Sequence, residues 1–232
     1  GSWSSLAGIL ITFAGKVKNI MRRFLFLAVI TLGLFACNQD DYTYALIETS
    51  QGDIRVMLYD ETPKHKANFI KLANEGFYDG LLFHRVIPNF MIQGGDPLSK
   101  DASPDMMLGG GGPGYMIDAE IGAPHLRGAL AAARTQNPAK QSSGSQFYIV
   151  TGRQQDASAL DQIERVKGIK YNEVQRQRYI EDGGRPDLDN EYTVFGEVVS
   201  GMEAVDKISA MPTGRADRPE KDAVIERVSI IK

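Results

Sequence analysis

Beyond the first forty residues, the apolar runs of this 232-residue chain are short, and Gly, Pro, Asp or Asn stand between them. Tyr44–Glu48 and Asp53–Tyr59 flank Gln51-Gly52, which is a hairpin pattern with a short Gly-containing turn. Leu81–Ile87, Phe147–Val150, Tyr192–Val198 and Ala223–Ile231 are further runs of strand length. Helical signals are few. Thr62-Pro63 opens one helix, with Thr as N-cap and Pro at the first helical position; Ala67, Ile70, Leu72 and Ala73 give its apolar face and Gly76 ends it. A second short helix, Met202–Ser209, follows Ser200-Gly201. Many short strands without strand–helix–strand alternation predict a mainly β domain, a barrel or a sandwich.

Two stretches interrupt that pattern. Leu98–Gly114 is a loop carrying Gly109-Gly110-Gly111-Gly112. A glycine run can cradle phosphate, but no Gly-Lys-Ser/Thr follows, so the P-loop pattern fails and a tight or flexible loop is expected. Asp156–Gly184 is polar and helical, with Leu160, Ile163, Val166 and Val174 near helical spacing and Ser158-Ala159-Leu160-Asp161 resembling a capping box. A helical insertion lying on the barrel is expected there; a partner-binding arm is the alternative.

The charge is unevenly placed. Residues 1–36 hold Lys16, Lys18, Arg22 and Arg23 and no acid, so the remainder has 22 basic against 29 acidic residues, a net −7 within a chain total of −3. That balance argues against nucleic acid as a partner. Met21-Arg22-Arg23 precedes thirteen residues without charge, Phe24–Ala36, the pattern of a secretory signal and too short a run to span a bilayer, which takes ~20 residues. Leu34-Phe35-Ala36-Cys37 resembles a bacterial lipobox, although Phe35 is bulky for it. The expectation is upstream sequence over 1–20, a lipoprotein signal peptide over 21–36, lipidation at Cys37, a polar tether over 37–43 and the folded domain over 44–232. It places the domain at a bacterial cell envelope, held to the membrane by the anchor on Cys37. A single cysteine excludes a disulfide framework, and three widely spaced histidines, His65, His84 and His125, offer no metal cluster.

Phe83-His84-Arg85-Val86-Ile87-Pro88-Asn89-Phe90-Met91-Ile92-Gln93-Gly94-Gly95-Asp96 sets a cation and an amide beside an apolar wall. It holds no nucleophile with a neighbouring base, so it suits binding and electrostatic work on a neutral group. His84 adjoins Arg85, but successive strand residues face opposite ways, so it is expected to pack away from the groove. His125 is expected in a loop or barrel-surface role, and Tyr115 and Phe77 in the core.

The same block closely resembles the cyclophilin family of peptidyl-prolyl cis-trans isomerases. Two more blocks agree in order: Gly128–Arg134 leading to Gly144-Ser145-Gln146-Phe147-Tyr148-Ile149, and Leu188–Val198. The resemblance spans about Tyr44 to Lys232. It implies an eight-stranded antiparallel barrel capped by two helices, with the groove on its outside, and substrates that are proline-containing peptides and unfolded exported proteins. No cofactor is implied, because X-Pro rotation makes and breaks no bond. By resemblance Arg85 is the catalytic donor and Gln93 orients it. Phe90, Met91, Tyr148, Leu188 and Tyr192 form the proline pocket, and the main chain at Ala133 and Arg134 grips the peptide. Many relatives have Trp where this chain has Asp187. That loss implies weak or no cyclosporin binding.

Overall fold

The computed structural model describes residues 42–231. Cys37 and the leader lie outside the described residues.

The strands, in chain order, are β1 Thr43–Thr49, β2 Ile54–Leu58, β3 Leu81–Leu82, β4 Arg85–Ile87, β5 Met91–Gly94, β6 Met116–Ile117, β7 Ala129–Ala132, β8 Ser142–Ser143, β9 Phe147–Val150, β10 Val194–Ser200 and β11 Val224–Ile231. Nine form one antiparallel sheet in the order β3-β11-β1-β2-β10-β7-β9-β5-β4; β6 and β8 pair separately. The two ends of that order, β3 and β4, are separated only by Phe83 and His84. Leu81–Ile87 is therefore one piece of chain whose first half pairs with β11 and second half with β5. It joins the two ends of the curled sheet, so β3 and β4 count as one strand of the eight-stranded antiparallel barrel that the resemblance implies.

Alternation of side chains decides what lies inside. Phe147 and Ile149 of β9, Leu130 and Ala132 of β7, Ile92 of β5 and Val86 of β4 all join the main core. Their neighbours Tyr148, Val150, Ala129, Ala131 and Met91 face outward and build a second apolar cluster on the barrel's outer surface. An outer face that is itself apolar is where a groove can form.

Helix α1 (Pro63–Asn74) buries His65, Phe69, Leu72 and Ala73. Ala67 is exposed, because Phe69 takes the inward position. Thr62 stands at the N-cap but its hydroxyl donates to the Tyr59 carbonyl (3.3 Å) and makes no cap hydrogen bond. Helix α4, Met202–Ser209, matches its expected bounds and puts Ala204, Val205 and Ile208 into the same core.

The insertion folds as two helices, α2 (Ala157–Lys167) and α3 (Glu173–Glu181). Its capping box lies at Asn172 with Gln175 and not at Ser158, since α2 begins one residue before Ser158. Its own small core is Leu126, Leu160, Tyr171 and Tyr179, with Ile163 partly buried against it. Val166 and Val174, expected on the apolar face, are exposed. Arg178 of α3 reaches Glu197 on β10 at 3.1 Å, so the insertion lies against the barrel.

Candidate active site

Sheet register brings the catalytic candidates together. Arg85 pairs with Gln93, Gln93 with Tyr148, and Tyr148 with Ala131, across β4, β5, β9 and β7. All four point outward from one rung of the barrel. Directly opposed residues in antiparallel strands lie about 5 Å apart at Cβ, so an arginine, an amide and an aromatic wall are juxtaposed by backbone pairing alone.

Arg85 is 42 % exposed and donates from Nη1 to Gln93 Oε1 and from Nε to Asp217 Oδ2, both at 3.4 Å. Gln93 Nε2 donates to Gln146 Oε1 (3.0 Å), and Gln146 Nε2 donates to the carbonyls of Gly109 (3.0 Å) and Gly111 (2.7 Å). The amides of Gly109 and Gly111 in turn donate to Oδ2 of the buried Asp96, which also accepts from Leu98 N. The glycine run thus serves close approach: a Cβ on Gly111 would run into the Asp96 carboxylate. The whole set is directional, with each amide donating onward and the Gln93 carbonyl left to receive the guanidinium.

Met91 and Tyr148, with Phe90, Leu188 and Tyr192 packed against them, lie in one apolar cluster. Tyr192 meets Tyr148 edge-on at 5.9 Å, and the Arg134 guanidinium covers the Tyr192 ring at 4.7 Å. Arg134 is fixed there by Glu191, through its carbonyl at 2.9 Å and carboxylate at 3.2 Å. Ala133 donates its N–H to Gln146 O and accepts from Ser143 N, while among the described residues the Arg134 main chain has no backbone hydrogen bond. The free main chain at this edge therefore belongs to Arg134. Beside it lies a cleft of about 440 Å3, floored by Gln146 and Ala133 and walled by the glycine loop and Tyr115. Tyr115 is not core: it is exposed and donates its hydroxyl to Asn68 Oδ1 (2.6 Å). Phe77 is partly buried against the core, edge-on to Tyr78.

His125 overturns its expected surface role. It is fully buried, and Nε2 lies 3.0 Å from the Tyr148 hydroxyl. Its Nδ1 and its backbone N–H both approach Asp189 Oδ1 (2.8 and 2.7 Å). Carboxylate oxygens only accept, so Nδ1 carries the proton and Nε2 accepts from Tyr148. Oδ2 of Asp189 accepts from the hydroxyls of Tyr171 (2.5 Å) and Tyr179 (2.7 Å), one just before α3 and one within it. Burial holds the hydroxyls of Tyr148, Tyr171 and Tyr179 protonated well above the ordinary phenol range. The pocket wall is thereby tied to the insertion. No local motif marks this relay, because His125 and Asp189 are 64 residues apart.

His84 is buried, but its two ring nitrogens find no partner among the described residues, and burial lowers its pKa. It borders a second cleft, of about 310 Å3, together with Arg85 and Asp217. Asp187 is engaged by Arg185 through both oxygens (2.8 and 2.6 Å), and the Arg185 guanidinium lies 3.9 Å above the Phe90 ring. A flat cation thus covers the face of Phe90. Burial works to raise the Asp187 pKa, and the Arg185 hydrogen bonds outweigh it and hold it low.

The profile of the "Cyclophilin type peptidyl-prolyl cis-trans isomerase/CLD" family matches residues 44–230. The chain belongs to the cyclophilin family. A putative peptidyl-prolyl cis-trans isomerase of Staphylococcus haemolyticus is 35% identical over 193 residues, covering 83% of this chain and 93% of that protein. A putative bifunctional phosphatase/peptidyl-prolyl cis-trans isomerase of Streptococcus pyogenes serotype M6 is 37% identical over 197 residues, 79% of this chain. The chain spans only 38% of that longer protein. A crystal structure of a cyclophilin type isomerase from Cryptosporidium parvum superposes with a TM-score of 0.60 at 25% identity, covering 82% of this chain and 98% of that one. A second crystal structure of that isomerase was determined in the presence of the dipeptide Ala-Pro and matches equally well. This cyclophilin is a peptidyl-prolyl cis-trans isomerase.

Proposed function

We propose that Arg85 carries the catalysis and that the substrates are proline-containing segments of exported proteins. Rotation about an X-Pro bond is opposed by amide resonance, with a barrier of about 18–20 kcal/mol. Halfway round, the nitrogen lone pair is no longer shared with the carbonyl and becomes a hydrogen-bond acceptor. A donor that meets it there binds the twisted amide better than either planar isomer, and only such differential binding speeds the step. Arg85 suits this: its charge is permanent and its fork is rigid. Asp217 holds Nε and Gln93 holds Nη1, which orients Nη2 and the free edge of Nη1 for substrate. The proline ring fits the Phe90, Met91, Tyr148, Leu188 and Tyr192 cluster, and the peptide main chain pairs with Arg134. The observation that carries the reading is the aligned rung of Arg85, Gln93 and Tyr148 beside that cluster.

The basic and apolar segment ending at Cys37 supports export and a lipid anchor, and with them a bacterial envelope location. Isomerisation consumes no energy source, which suits a compartment without ATP. Weak cyclosporin binding belongs to the same reading, because the Asp187–Arg185 pair occupies the place of an apolar wall; a nanomolar Kd would contradict it.

The deciding experiment is NMR exchange of a short X-Pro peptide with the protein and with Arg85→Ala. Accelerated exchange is expected, falling about 10²–10³-fold in the variant, the usual cost of one preorganised donor. Binding without exchange in the unsubstituted protein would make it a peptide-binding module.

A further inference from the structure

Phe90, which packs against the apolar cluster, also lines a cleft of about 700 Å3 between the Ile87–Phe90 turn and helix α2. Its floor includes Pro186 and Asp187, immediately before Leu188 of the pocket. Its outer wall is a face of α2: Ala159, Gln162, Ile163 and Val166 all line it. They fall at i, i+3, i+4 and i+7, one side of a helix. This stripe adjoins the face that builds the insertion's core: Ile163 belongs to both, Leu160 is fully buried on the core side, and Ala159, Gln162 and Val166 lie on the cleft side alone. Val166 is 78 % exposed and makes no core contact, although an apolar residue there gains nothing for folding.

We propose that this cleft is an extended substrate subsite, in which the insertion grips an apolar side chain of the polypeptide flanking the proline. The proposal rests on the isomerase reading above and adds to it a preference that the proline pocket alone does not supply. Continuity favours this occupant: Phe90 walls both the proline pocket and the cleft, so a strand leaving the pocket passes over Phe90 and Arg185 onto the α2 stripe. An extended chain advances about 3.3 Å per residue, so a few residues cross one aromatic ring. Unfolded polypeptides carry apolar side chains at such distances from proline, whereas minimal X-Pro peptides do not reach.

The test compares a tetrapeptide with a twelve-residue peptide that has the same X-Pro core and leucines on both flanks. The protein is methyl-labelled at valine, unsubstituted and as Val166→Asp. The longer peptide should lower KM by roughly tenfold, the low end of what one apolar contact in a pocket is worth. It should also move the Val166 methyl signals, which the tetrapeptide leaves in place. In Val166→Asp the length advantage should vanish while tetrapeptide exchange stays as it was. Equal KM values with unmoved methyls would overturn the proposal, and so would a length advantage that survives in Val166→Asp. Failure of the isomerase reading shows separately, as no tetrapeptide exchange, and the methyl shifts then still report whether the cleft binds. Val166→Ser, milder in charge, guards against a folding defect.

Discussion

Tyr148 has two roles that pull on different atoms: its ring faces the pocket and its hydroxyl reaches back to His125. Tyr148→Phe keeps the ring and leaves His125 Nε2 buried without a donor. The expected cost is about 1–3 kcal/mol of stability, the penalty of an orphaned buried acceptor, with KM changed no more than a few-fold; urea unfolding and peptide exchange measure the two separately. Arg85, Phe90, Met91 and Gln93 were legible because one strand–turn–strand carries them all. Asp217 was not: it meets Arg85 from 132 residues away, on a turn where Ala216 and Asp217 both take positive φ. His125 departs from its expected surface role for the same reason, since what makes a buried histidine acceptable is a partner that local sequence does not name.

Among elements, one carboxylate collects four of the hydrogen bonds that tie the insertion to the pocket wall. Asp189 accepts from the His125 amide and imidazole and from Tyr171 and Tyr179. Asp189→Asn removes the charge and puts a donor where four donors already converge. A loss of about 3 kcal/mol or more is expected, as for breaking a buried hydrogen-bond network, with faster amide hydrogen exchange in α3 than in β1. The glycine loop behaves likewise about Asp96. Gly111→Ala should displace it from Asp96 and unseat Gln146, lowering kcat/KM while leaving the barrel folded; exchange kinetics and far-UV circular dichroism check both halves. Strands bounded by Gly, such as Phe147–Val150, are legible from sequence, whereas Met91–Gly94 and Ala129–Ala132 are not, because they are short and set by pairing with distant strands. Helix details were read less well. Ser158-x-x-Asp161 satisfies a capping pattern, but Ala157 before it is already helical and Asp156 stands at the N-cap, which only the chain entering α2 decides.

At the level of the whole molecule, all three histidines are buried, and two of them carry a pH signature. Burial lowers the pKa of His84, against the pull of Asp96, and lowers that of His65, against its hydrogen bond to Glu120. The unfolded chain takes up protons on these imidazoles near pH 6.5, and the folded protein resists until lower pH. Stability should therefore be full above about pH 6.5 and fall below it, by up to about 1.4 kcal/mol per pH unit for each histidine. Thermal midpoints between pH 7.5 and 5 measure the slope, and a flat profile would contradict it. The barrel itself was legible as a class from its short runs, but its closure was not, since two pairings of one segment, Leu81–Ile87, appear only in three dimensions. That segment is the cylinder's zip, and Arg85 is one of its teeth. The β4–β5 pairing that sets the arginine beside Gln93 continues, along one seven-residue segment, the β3–β11 pairing that joins the two ends of the sheet, so closure and the candidate site share a strand. A cut within Leu81–Ile87, or a permutation that opens the chain there, is therefore expected to loosen the barrel and to weaken peptide exchange together.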